Sequence, residues 1–564
     1  MTMKSNETSE QQLPRQQIAK ARWSILRKAL LLQNKNDQFS ENQHSIHRYG
    51  GYNLLQGRLF DASASASLSS SSSLPPDLNR IIESLLSEYR WNVQKTLQEN
   101  LDDLEIAVLA LSACFPKAKC IRIVDVNNNN DNNSTNNLHS SSPPECCWLT
   151  LLQERCQPSV RVLKVAEKEM MTTLLVQETS NSTRYKTIVY DLNANTNTKK
   201  DGNYQCMTIW TRQPTVKRLS LDELVSHRKN KGVDNTGNIC VWDSERTLAY
   251  LLYNDFDAFF TLTETGVIEG NTYRILPHGD DPNNTEIRIM SLGSGMAGIA
   301  GVALGYRVET LLRQQRNDAK FENKRKSVRV TLTDGNIECV LNNKINQYLT
   351  ELSSQTWRTK TSESNKSNTN NNHSCQHRTN LTINCEYLLW TTDCCGDIDG
   401  SFSVGNNEQG KERRWRERPQ NSHQDMILIS DCVHFQNFHA ALIITTMRCL
   451  RVGGTAIFCQ PTRNPSLDNF SNLLTILSSS TTAATVDKSD RLSFQPPLLH
   501  LEWMKHPVLE QKHKEASSNH TDTYDENLHR PKLLVVTKMR EMLEDDRLHF
   551  IAYHQRYSNA KQKY

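Results

Sequence analysis

The sequence has no pair of cysteines at CxxC spacing, although it contains 15 cysteines among 564 residues. The adjacent pairs at 146–147 and 394–395 have no histidine partners at zinc-finger spacing. We therefore predict no metal site. Scattered cysteines of this kind indicate reduced thiols, so a cytoplasmic protein is expected, with the nucleus as a second location.

Long apolar runs are also missing from the chain. No segment approaches the roughly 18 consecutive apolar residues of a membrane-spanning helix. The polar start MTMKSNETSE lacks the apolar centre of a secretory signal. We therefore expect a soluble protein and predict no membrane partner.

Charge of one sign is not in excess either. The 66 lysines and arginines nearly balance the 62 aspartates and glutamates, which leaves a formal net charge of +4. Binding of nucleic acid through overall charge is excluded at that balance, because it requires a strongly basic face. One basic stretch, residues 411–418, lies in a polar insertion at 405–424. A solvated loop is the favoured interpretation, and contact with nucleic acid or an acidic partner is the alternative.

Three polar low-complexity stretches interrupt the chain, at residues 63–76, 127–144 and 363–374. They bury too little apolar surface to offset the entropy lost on ordering, so we predict disordered insertions there. Two helices are predicted within residues 81–113. The predicted organisation is an N-terminal helical segment (1–60), a low-complexity and helical insertion (61–203), an α/β domain (204–540) with inserts near 363–380 and 402–424, and a C-terminal tail (541–564).

From residue 204 onward, short apolar runs rich in β-forming residues alternate with helical stretches, which predicts a parallel sheet with helices on both faces. Two final strands without a helix between them predict a terminal antiparallel hairpin, which is how the sheets of class I methyltransferases end. The predicted strands are 287–292, 328–333, 381–389, 426–430, 455–460, 498–504 and 533–537, and the predicted helices are 296–306, 337–348, 439–449 and 466–477.

A glycine-rich turn follows the first of these strands. Gly293, Ser294 and Gly295 begin a GxGxxG match that nicotinamide-binding folds share. Glycines allow a ligand to approach the backbone at the carboxyl edge of a parallel sheet. The second strand ends at Asp334, whose carboxylate can accept hydrogen bonds from both ribose hydroxyls of an adenosine. The alternative is an aspartate that only caps the following helix.

Two tryptophans lie near the same predicted edge. Trp390 closes the third strand, where its ring can lie beside an adenine, and Trp242 precedes the first strand. Either ring can equally belong to the core. Their order along the chain favours a pocket for S-adenosylmethionine.

Several blocks of the sequence follow one another in a characteristic order. They are ARWSILRKAL and SIHRYGGYNLL near the start, then NTGNICVWDSERTLAYLL, LGSGMAG, LTDGN, DMILISDC with the following HFQNFHAAL, and YDENLHRPKLLVVTK. This series resembles the calmodulin-lysine N-methyltransferase family, within the class I seven-strand protein-lysine methyltransferases. The resemblance covers about half of the chain, in the same order, with the low-complexity insertions between the matched blocks.

The resemblance implies the transfer of methyl groups from S-adenosyl-L-methionine to a lysine of calmodulin, up to trimethyllysine. Asp431 is expected to hold the incoming lysine, and Phe435 to line its channel. Ser291 stands where the family usually has an acidic residue, which removes one expected contact to the methionine end of the cofactor. The predicted cofactor-binding residues are Trp242, Gly293, Ser294, Gly295, Asp334, Asn336, Trp390 and Ser430.

Three alternatives remain at this point. The same chemistry can act on another protein lysine, such as one of an elongation factor or a chaperone, because cofactor motifs do not specify a substrate. A nicotinamide-dependent oxidoreductase is favoured only by the GxGxxG match, and the chain lacks a Tyr-x-x-x-Lys set near the expected strand ends. A non-catalytic binding module that kept the fold is the third, and the change at Ser291 favours it.

Overall fold

A computed structural model describes most of the chain outside the low-complexity stretches. It describes residues 52, 54–60, 88–92, 94–115, 118–125, 145–168, 171–179, 185–192, 207–214, 241–262, 268–269, 274–275, 284–317, 325–364, 381–392, 424–434, 436–462, 465–479, 497–518 and 524–562. The predicted N-terminal helical segment (1–60) and the insertions at 363–380 and 402–424 fall largely outside these residues. Within the described residues, no helix is both long enough and apolar enough to span a membrane.

The region before residue 215 contains two small sheets. Strands β2, β3, β5 and β4 form a four-stranded sheet in that order, and β1, β6 and β7 form a three-stranded one. Helix α1 begins with a capping box in which Thr96 and Glu99 satisfy each other's backbone N–H groups. The elements are β1 (Gly57–Leu59), β2 (Glu88–Trp91), α1 (Leu97–Cys114), β3 (Lys119–Asp125), α2 (Glu145–Cys156), β4 (Val160–Lys168), β5 (Met171–Glu178), β6 (Tyr185–Asp191) and β7 (Thr208–Pro214).

These strands correct the description of residues 61–203 as a low-complexity and helical insertion. The predicted pair of helices within 81–113 is wrong, because β2 precedes a single helix, α1. Strands β4 to β6 alternate apolar and polar residues and bury mainly one face, a pattern that the flanking Ser and Asn runs obscure in the composition. The domain boundaries themselves stay predictions.

The larger part of the structure is a seven-stranded sheet with the order β13-β12-β11-β14-β15-β17-β16. Neighbours from β13 to β15 are parallel, while β17 is antiparallel to both β15 and β16. Three short strands, β8 to β10, form a separate sheet before it. The strands are β8 (Thr261–Leu262), β9 (Ile268–Glu269), β10 (Arg274–Ile275), β11 (Asn284–Leu292), β12 (Arg325–Asp334), β13 (Leu381–Tyr387), β14 (Gln424–Ser430), β15 (Leu450–Pro461), β16 (Leu499–Met504) and β17 (Pro531–Lys538).

Helices cover both faces of this sheet. Consecutive strand residues such as Ile289 and Met290 belong to two different apolar clusters, because side chains alternate between the faces of a strand. One cluster includes α3 and α4, and the other includes α6, α7 and α10. The helices are α3 (Asp243–Asn254), α4 (Ile299–Asn317), α5 (Ile337–Ser364), α6 (His439–Cys449), α7 (Ser466–Ser479), α8 (Pro507–Ser518), α9 (Glu526–His529) and α10 (Glu544–Gln562).

The predicted fold class is confirmed by this strand order, since the antiparallel β17 next to β15 is the ending expected of a class I methyltransferase sheet. Two details differ from the prediction. Helix α4 begins at Ile299 rather than at Met296, because residues 293–298 form the turn. The last two strands are not a simple hairpin, because α8 and α9 lie between β16 and β17.

Candidate functional site: the carboxyl edge of the seven-stranded sheet

The glycine turn predicted from the sequence connects β11 to α4 at the carboxyl edge of the sheet. Gly293, Gly295 and Gly298 all have positive φ, near +65°, +55° and +54°. A side chain is strained in that region of φ, and glycine is not. A Cβ atom on Gly293 would also lie 2.6 Å from the Cys432 sulfur and 2.9 Å from the ring of Trp390. The turn is therefore tightly enclosed on one side.

Asp334 joins the end of β12 to this turn. Its Oδ2 accepts a hydrogen bond from Gly295 N at 2.8 Å, and its Oδ1 accepts one from Asn336 N at 2.8 Å. Asn336 in turn accepts a hydrogen bond from Glu338 N and caps helix α5. The capping residue of α5 is therefore Asn336, and Asp334 contacts the N–H of that residue instead of capping the helix itself. A carboxylate can accept about four hydrogen bonds, so these two contacts are compatible with binding of ribose hydroxyls.

Three asparagines of α5 hold the backbone of the glycine turn. Asn342 and Asn346 both donate to the carbonyl of Met296, at 2.6 and 2.8 Å. Asn343 donates to the carbonyl of Gly295 and to the hydroxyl of Ser294. All three asparagines are buried. The turn is therefore fixed by buried side-chain amides, which lowers the reorganisation needed to bind a ligand.

Ser294 was predicted to bind the cofactor, and its side chain faces the protein. Its hydroxyl donates to the carbonyl of Thr333 at 3.1 Å and accepts the amide of Asn343 at 2.8 Å. Only 4% of the residue is exposed. The backbone is bonded as well, since Ser294 N–H donates to the carbonyl of Thr333 at 2.9 Å and the carbonyl of Ser294 accepts the N–H of Gly298 at 3.0 Å. The described contacts of Ser294 therefore hold the turn together.

The two predicted tryptophans lie at different places. Trp390 packs against Gly293, as the crowding there shows, and is partly buried beside the apolar cluster of α6 and α7. Trp242 is the residue before α3, and its carbonyl accepts the N–H groups of Glu245 and Arg246. Trp390 is thus next to the glycine turn, while the described contacts of Trp242 are those of a helix start.

Glu245 of α3 connects two parts of the edge that are distant in sequence. Its Oε1 accepts the N–H of Ala300 at 2.8 Å in the first turn of α4, and its Oε2 accepts the hydroxyl of Ser430 at the end of β14. Burial raises the pKa of the Glu245 carboxyl, and the nearby charge of Asp431 raises it further, against the two hydrogen bonds. Ser430, a predicted cofactor residue, is therefore held by a carboxylate that spans the turn.

Asp431 follows β14 directly and has φ near +52°, a value that non-glycine residues seldom adopt. Its N–H donates to the carbonyl of Cys459 at 3.2 Å, which holds it against β15. Its charge contributes to the raised pKa values of both Glu245 and Cys459. Phe435, the second predicted catalytic residue, lies outside the described residues.

The other acidic residue of DMILISDC has a structural role. Asp425 lies near the start of β14, at the end of the strand away from the glycine turn. It accepts the N–H of Arg288 at 2.6 Å and forms an ion pair with Arg451. Burial raises the pKa of Asp425 to about 6, although both arginines oppose that shift. Of the two aspartates in this motif, only Asp431 is at the ligand edge.

A cluster of aromatic hydroxyls and imidazoles lies farther along the same edge, where Pro531 of β17 pairs with Pro461 of β15. The hydroxyl of Tyr524 contacts the hydroxyl of Tyr52 at 3.2 Å and Nδ1 of His513 at 2.8 Å. The ring of Tyr524 also stacks on His529. A residue near the N-terminus therefore meets the YDENLH segment at the rim of the edge.

The structure brings together most of the predicted residues: the glycine turn, Asp334, Asn336, Trp390, Ser430 and Asp431. The sequence interpretation missed Glu245 and the three asparagines of α5. Glu245 lies within the matched block NTGNICVWDSERTLAYLL, from which only Trp242 was selected. The asparagines had a signal in their spacing, since positions 342, 343 and 346 fall on one side of a helix and can meet one polar partner.

No protein-family model matches the chain. Similar solved structures include phosphoethanolamine N-methyltransferase 2 of Haemonchus contortus with phosphomonomethylethanolamine and S-adenosylhomocysteine (12% identity, 80% of this chain and 85% of that one, TM-score 0.21). An S-adenosylmethionine-dependent methyltransferase of Methanosarcina mazei is 11% identical over 46% of this chain and 94% of that one, with a TM-score of 0.18.

The CMeT domain of the citrinin polyketide synthase is 12% identical over 46% of this chain, with a TM-score of 0.18. The present chain spans about half, 48%, of the length of that structure. At such scores the fold assignment rests on the strand order and on the glycine turn, and not on these similarities. By its strand order and its glycine turn, the chain has the fold of class I methyltransferases.

Proposed function

We propose that the protein transfers methyl groups from S-adenosylmethionine to a lysine of a protein, and that this protein is calmodulin. One observation carries the proposal. The glycine turn with Asp334 and the acidic residue Asp431 meet at one edge of the sheet, on strands β11, β12 and β14, which are neighbours. This arrangement supports a methyl-donor site beside a site for an amine.

Bound S-adenosylmethionine would supply an electrophilic methyl group on a sulfonium centre. The chain's residues then have to position an amine in line with that methyl group, because displacement at carbon needs alignment and no protein nucleophile. Gly293, Gly295 and Asp334 would hold the cofactor. Asp431 would accept an N–H of the lysine amine and orient its lone pair. Glu245 would fix Ser430 beside it.

The carboxylates also suit the charge of the reactants. A lysine amine has an ordinary pKa near 10.4, so it arrives as an ammonium ion and must lose a proton to solvent before it reacts. Asp431 would provide negative charge beside the ammonium ion and the sulfonium, a charge that also raises the pKa of the buried Glu245 carboxyl. The edge therefore favours cationic reactants.

The choice of calmodulin rests on the sequence resemblance, which extends beyond the cofactor motifs. SIHRYGGYNLL and YDENLHRPKLLVVTK are both part of it, and the contact between Tyr52 and Tyr524 joins these two segments at the rim. Segments that only served the cofactor would have no reason to meet there. This contact supports a shared surface for a protein substrate.

The direct test uses the full-length protein with recombinant unmethylated calmodulin and S-adenosylmethionine, followed by intact mass spectrometry. Calmodulin should gain mass in methyl steps on one lysine. A parallel reaction uses labelled cofactor and a cell lysate. Labelling of a different protein, with no mass gained by calmodulin, would leave the chemistry standing and overturn the substrate. Cofactor binding without any transfer would favour a non-catalytic binding module.

A further inference from the structure

Strand β7 lies along helix α5 and is bonded to it through main-chain atoms. Trp210 N donates to the hydroxyl of Thr350 at 3.0 Å, and Arg212 N donates to Oδ1 of Asn346 at 2.6 Å. The carbonyl of Arg212 accepts an N–H of Asn342 at 2.9 Å. Positions 342, 346 and 350 are four residues apart and form one stripe on the helix. A strand of the N-terminal region is thus paired with this stripe.

Two residues of the same stripe also hold the glycine turn. Asn342 uses its two N–H groups for two partners, the carbonyls of Arg212 and Met296. Asn346 accepts the N–H of Arg212 with its oxygen and donates to the carbonyl of Met296 with its nitrogen. Each of these two side-chain amides therefore connects β7 to the glycine turn through direct hydrogen bonds.

The bridge is buried, which makes its contacts interdependent. Asn342, Asn346 and Thr350 are each exposed by 3% or less, and Arg212 by 4%. The guanidinium of Arg212 lies over the ring of Tyr185 on β6, 3.4 Å from its centroid. A buried amide that loses one partner is costly to leave unsatisfied. A shift of β7 therefore has to be accompanied by a shift of the asparagines and of the turn.

We propose that the packing of strand β7 on helix α5 is thermodynamically coupled to the binding of the cofactor at the glycine turn. Asn342, Asn346 and Thr350 are the positioning residues of this coupling. The proposal rests on the proposed function, because it assumes that the turn binds the cofactor. It assigns the N-terminal region a role in the cofactor site. A protein that binds this region could thereby change the affinity for the cofactor.

Coupling of this kind is reciprocal, so it can be measured from either side. The first measurement is hydrogen exchange of the full-length protein with and without adenosylhomocysteine. The amides of Trp210 and Arg212 should exchange more slowly when the ligand is bound, together with those of the glycine turn. Protection confined to the turn would overturn the coupling. A protein that binds no adenosylhomocysteine at all would overturn the proposed function as well.

The second measurement uses a residue that touches β7 and not the turn. Thr350→Val removes the hydroxyl that bonds Trp210 and keeps the shape of the side chain. It should weaken adenosylhomocysteine binding by roughly two- to thirty-fold, the range for coupling through packed networks. Thr350→Ser keeps the hydroxyl and should restore the affinity. Calorimetry at a temperature where all variants are folded gives the dissociation constants.

Ser353→Ala is the matched control. Ser353 is buried on the same helix, and among the described residues its hydroxyl bonds the carbonyl of Thr350 and no group of β7 or of the turn. This variant should bind adenosylhomocysteine like the unmodified protein. Equal affinities of Thr350→Val, Thr350→Ser and the unmodified protein would reduce the stripe to simple packing and overturn the proposal.

Discussion

Oδ2 of Asp334 accepts a hydrogen bond from the backbone N–H of Gly295 at 2.8 Å, and this contact ties the end of β12 to the glycine turn. Asp334→Ala should weaken binding of adenosylhomocysteine by about 1.5 to 3 kcal/mol, the range for hydrogen bonds to a charged group. The binding free energy falls for two reasons. The variant lacks the contact to the ribose hydroxyls, and the glycine turn loses the hydrogen bond that fixes its position. Isothermal calorimetry measures it.

Asp525→Ala provides the comparison for this variant. Asp525 caps the short helix α9 by accepting Asn527 N at 2.9 Å, so its removal costs a cap without touching the turn. Asp525→Ala should lose about 1 kcal/mol of stability as a lost cap. Asp334→Ala should lose a similar amount, about 1 kcal/mol, because the N–H groups of Gly295 and Asn336 lose their acceptor. Only Asp334→Ala should bind the ligand more weakly. An unchanged affinity there would leave Asp334 a structural contact of the turn and nothing else.

Gly293 and Gly453 both have positive φ, and they differ in the space around them. Nothing lies within 4 Å of a Cβ on Gly453, whereas a Cβ on Gly293 meets Cys432 and Trp390. Gly453→Ala should lose about 1–2 kcal/mol of unfolding free energy from backbone strain alone. Gly293→Ala should lose about 1–3 kcal/mol more because of crowding. Equal losses in urea unfolding would show that the turn has room for a side chain.

The buried carboxyl of Glu245 predicts a pH dependence. Burial raises its pKa in the folded protein above the ordinary 4.5. The contribution of the Glu245 carboxyl to the free energy of unfolding is therefore fully present below that ordinary pKa. It is lost as the pH rises through the raised pKa of the folded protein. Glu245→Gln has no charge to bury and keeps a polar side chain beside Ala300 and Ser430. The variant should gain stability relative to the unmodified protein as the pH rises from 4.5.

Glu99→Gln should show the opposite trend in the same series of urea unfolding curves. Hydrogen bonds from Thr96 lower the pKa of Glu99 in the capping box of α1. Its contribution is present above the ordinary pKa and is lost as the pH falls through the lowered one. If the stabilities of the two variants relative to the unmodified protein change in the same direction with pH, burial does not raise the pKa of Glu245 in the folded protein.

The βα series was predictable because its strands are continuous apolar runs bounded by charge and turn residues, as in the stretch that became β14. Helix α6 has the predicted bounds, His439–Cys449. Strands β4 to β6 were missed although they alternate apolar and polar residues, because Ser- and Asn-rich stretches dominate the composition around them. Local pattern therefore fixes the buried parallel strands better than the half-exposed antiparallel ones.

The site was predictable where one segment contains both the turn and the ligand contact, as at Gly293. Glu245 and Ser430 are separated by 185 positions in the chain, and only the folded sheet brings them together. The same holds for Asn346 and Arg212, which are 134 positions apart. Contacts between residues so far apart in the chain depend on how helices pack against the edge of the sheet. The spacing of residues within one segment does not predict that packing.

Asp431 offers the sharpest test of the chemistry. Its φ of +52° would strain an alanine, whereas asparagine tolerates the left-handed region, so Asp431→Asn removes the charge and keeps the backbone. Methyl transfer to calmodulin should slow by roughly 10- to 150-fold in kcat/KM, which corresponds to the loss of a hydrogen bond to a charged group. The affinity for adenosylhomocysteine should stay within about twofold. The reason is that Asp431 is expected to hold the lysine and not the cofactor.

The control for Asp431→Asn is Asp103→Asn. Asp103 forms an exposed ion pair with Lys95 in the N-terminal region, and such pairs contribute little. That variant should methylate calmodulin at the unmodified rate. Because transfer and binding are measured on the same preparations, a fall in both for Asp431→Asn would mean that Asp431 supports the cofactor site rather than the amine. Unchanged transfer would remove Asp431 from the reaction and leave the positioning of the lysine to residues of the rim, where Tyr52 and Tyr524 meet.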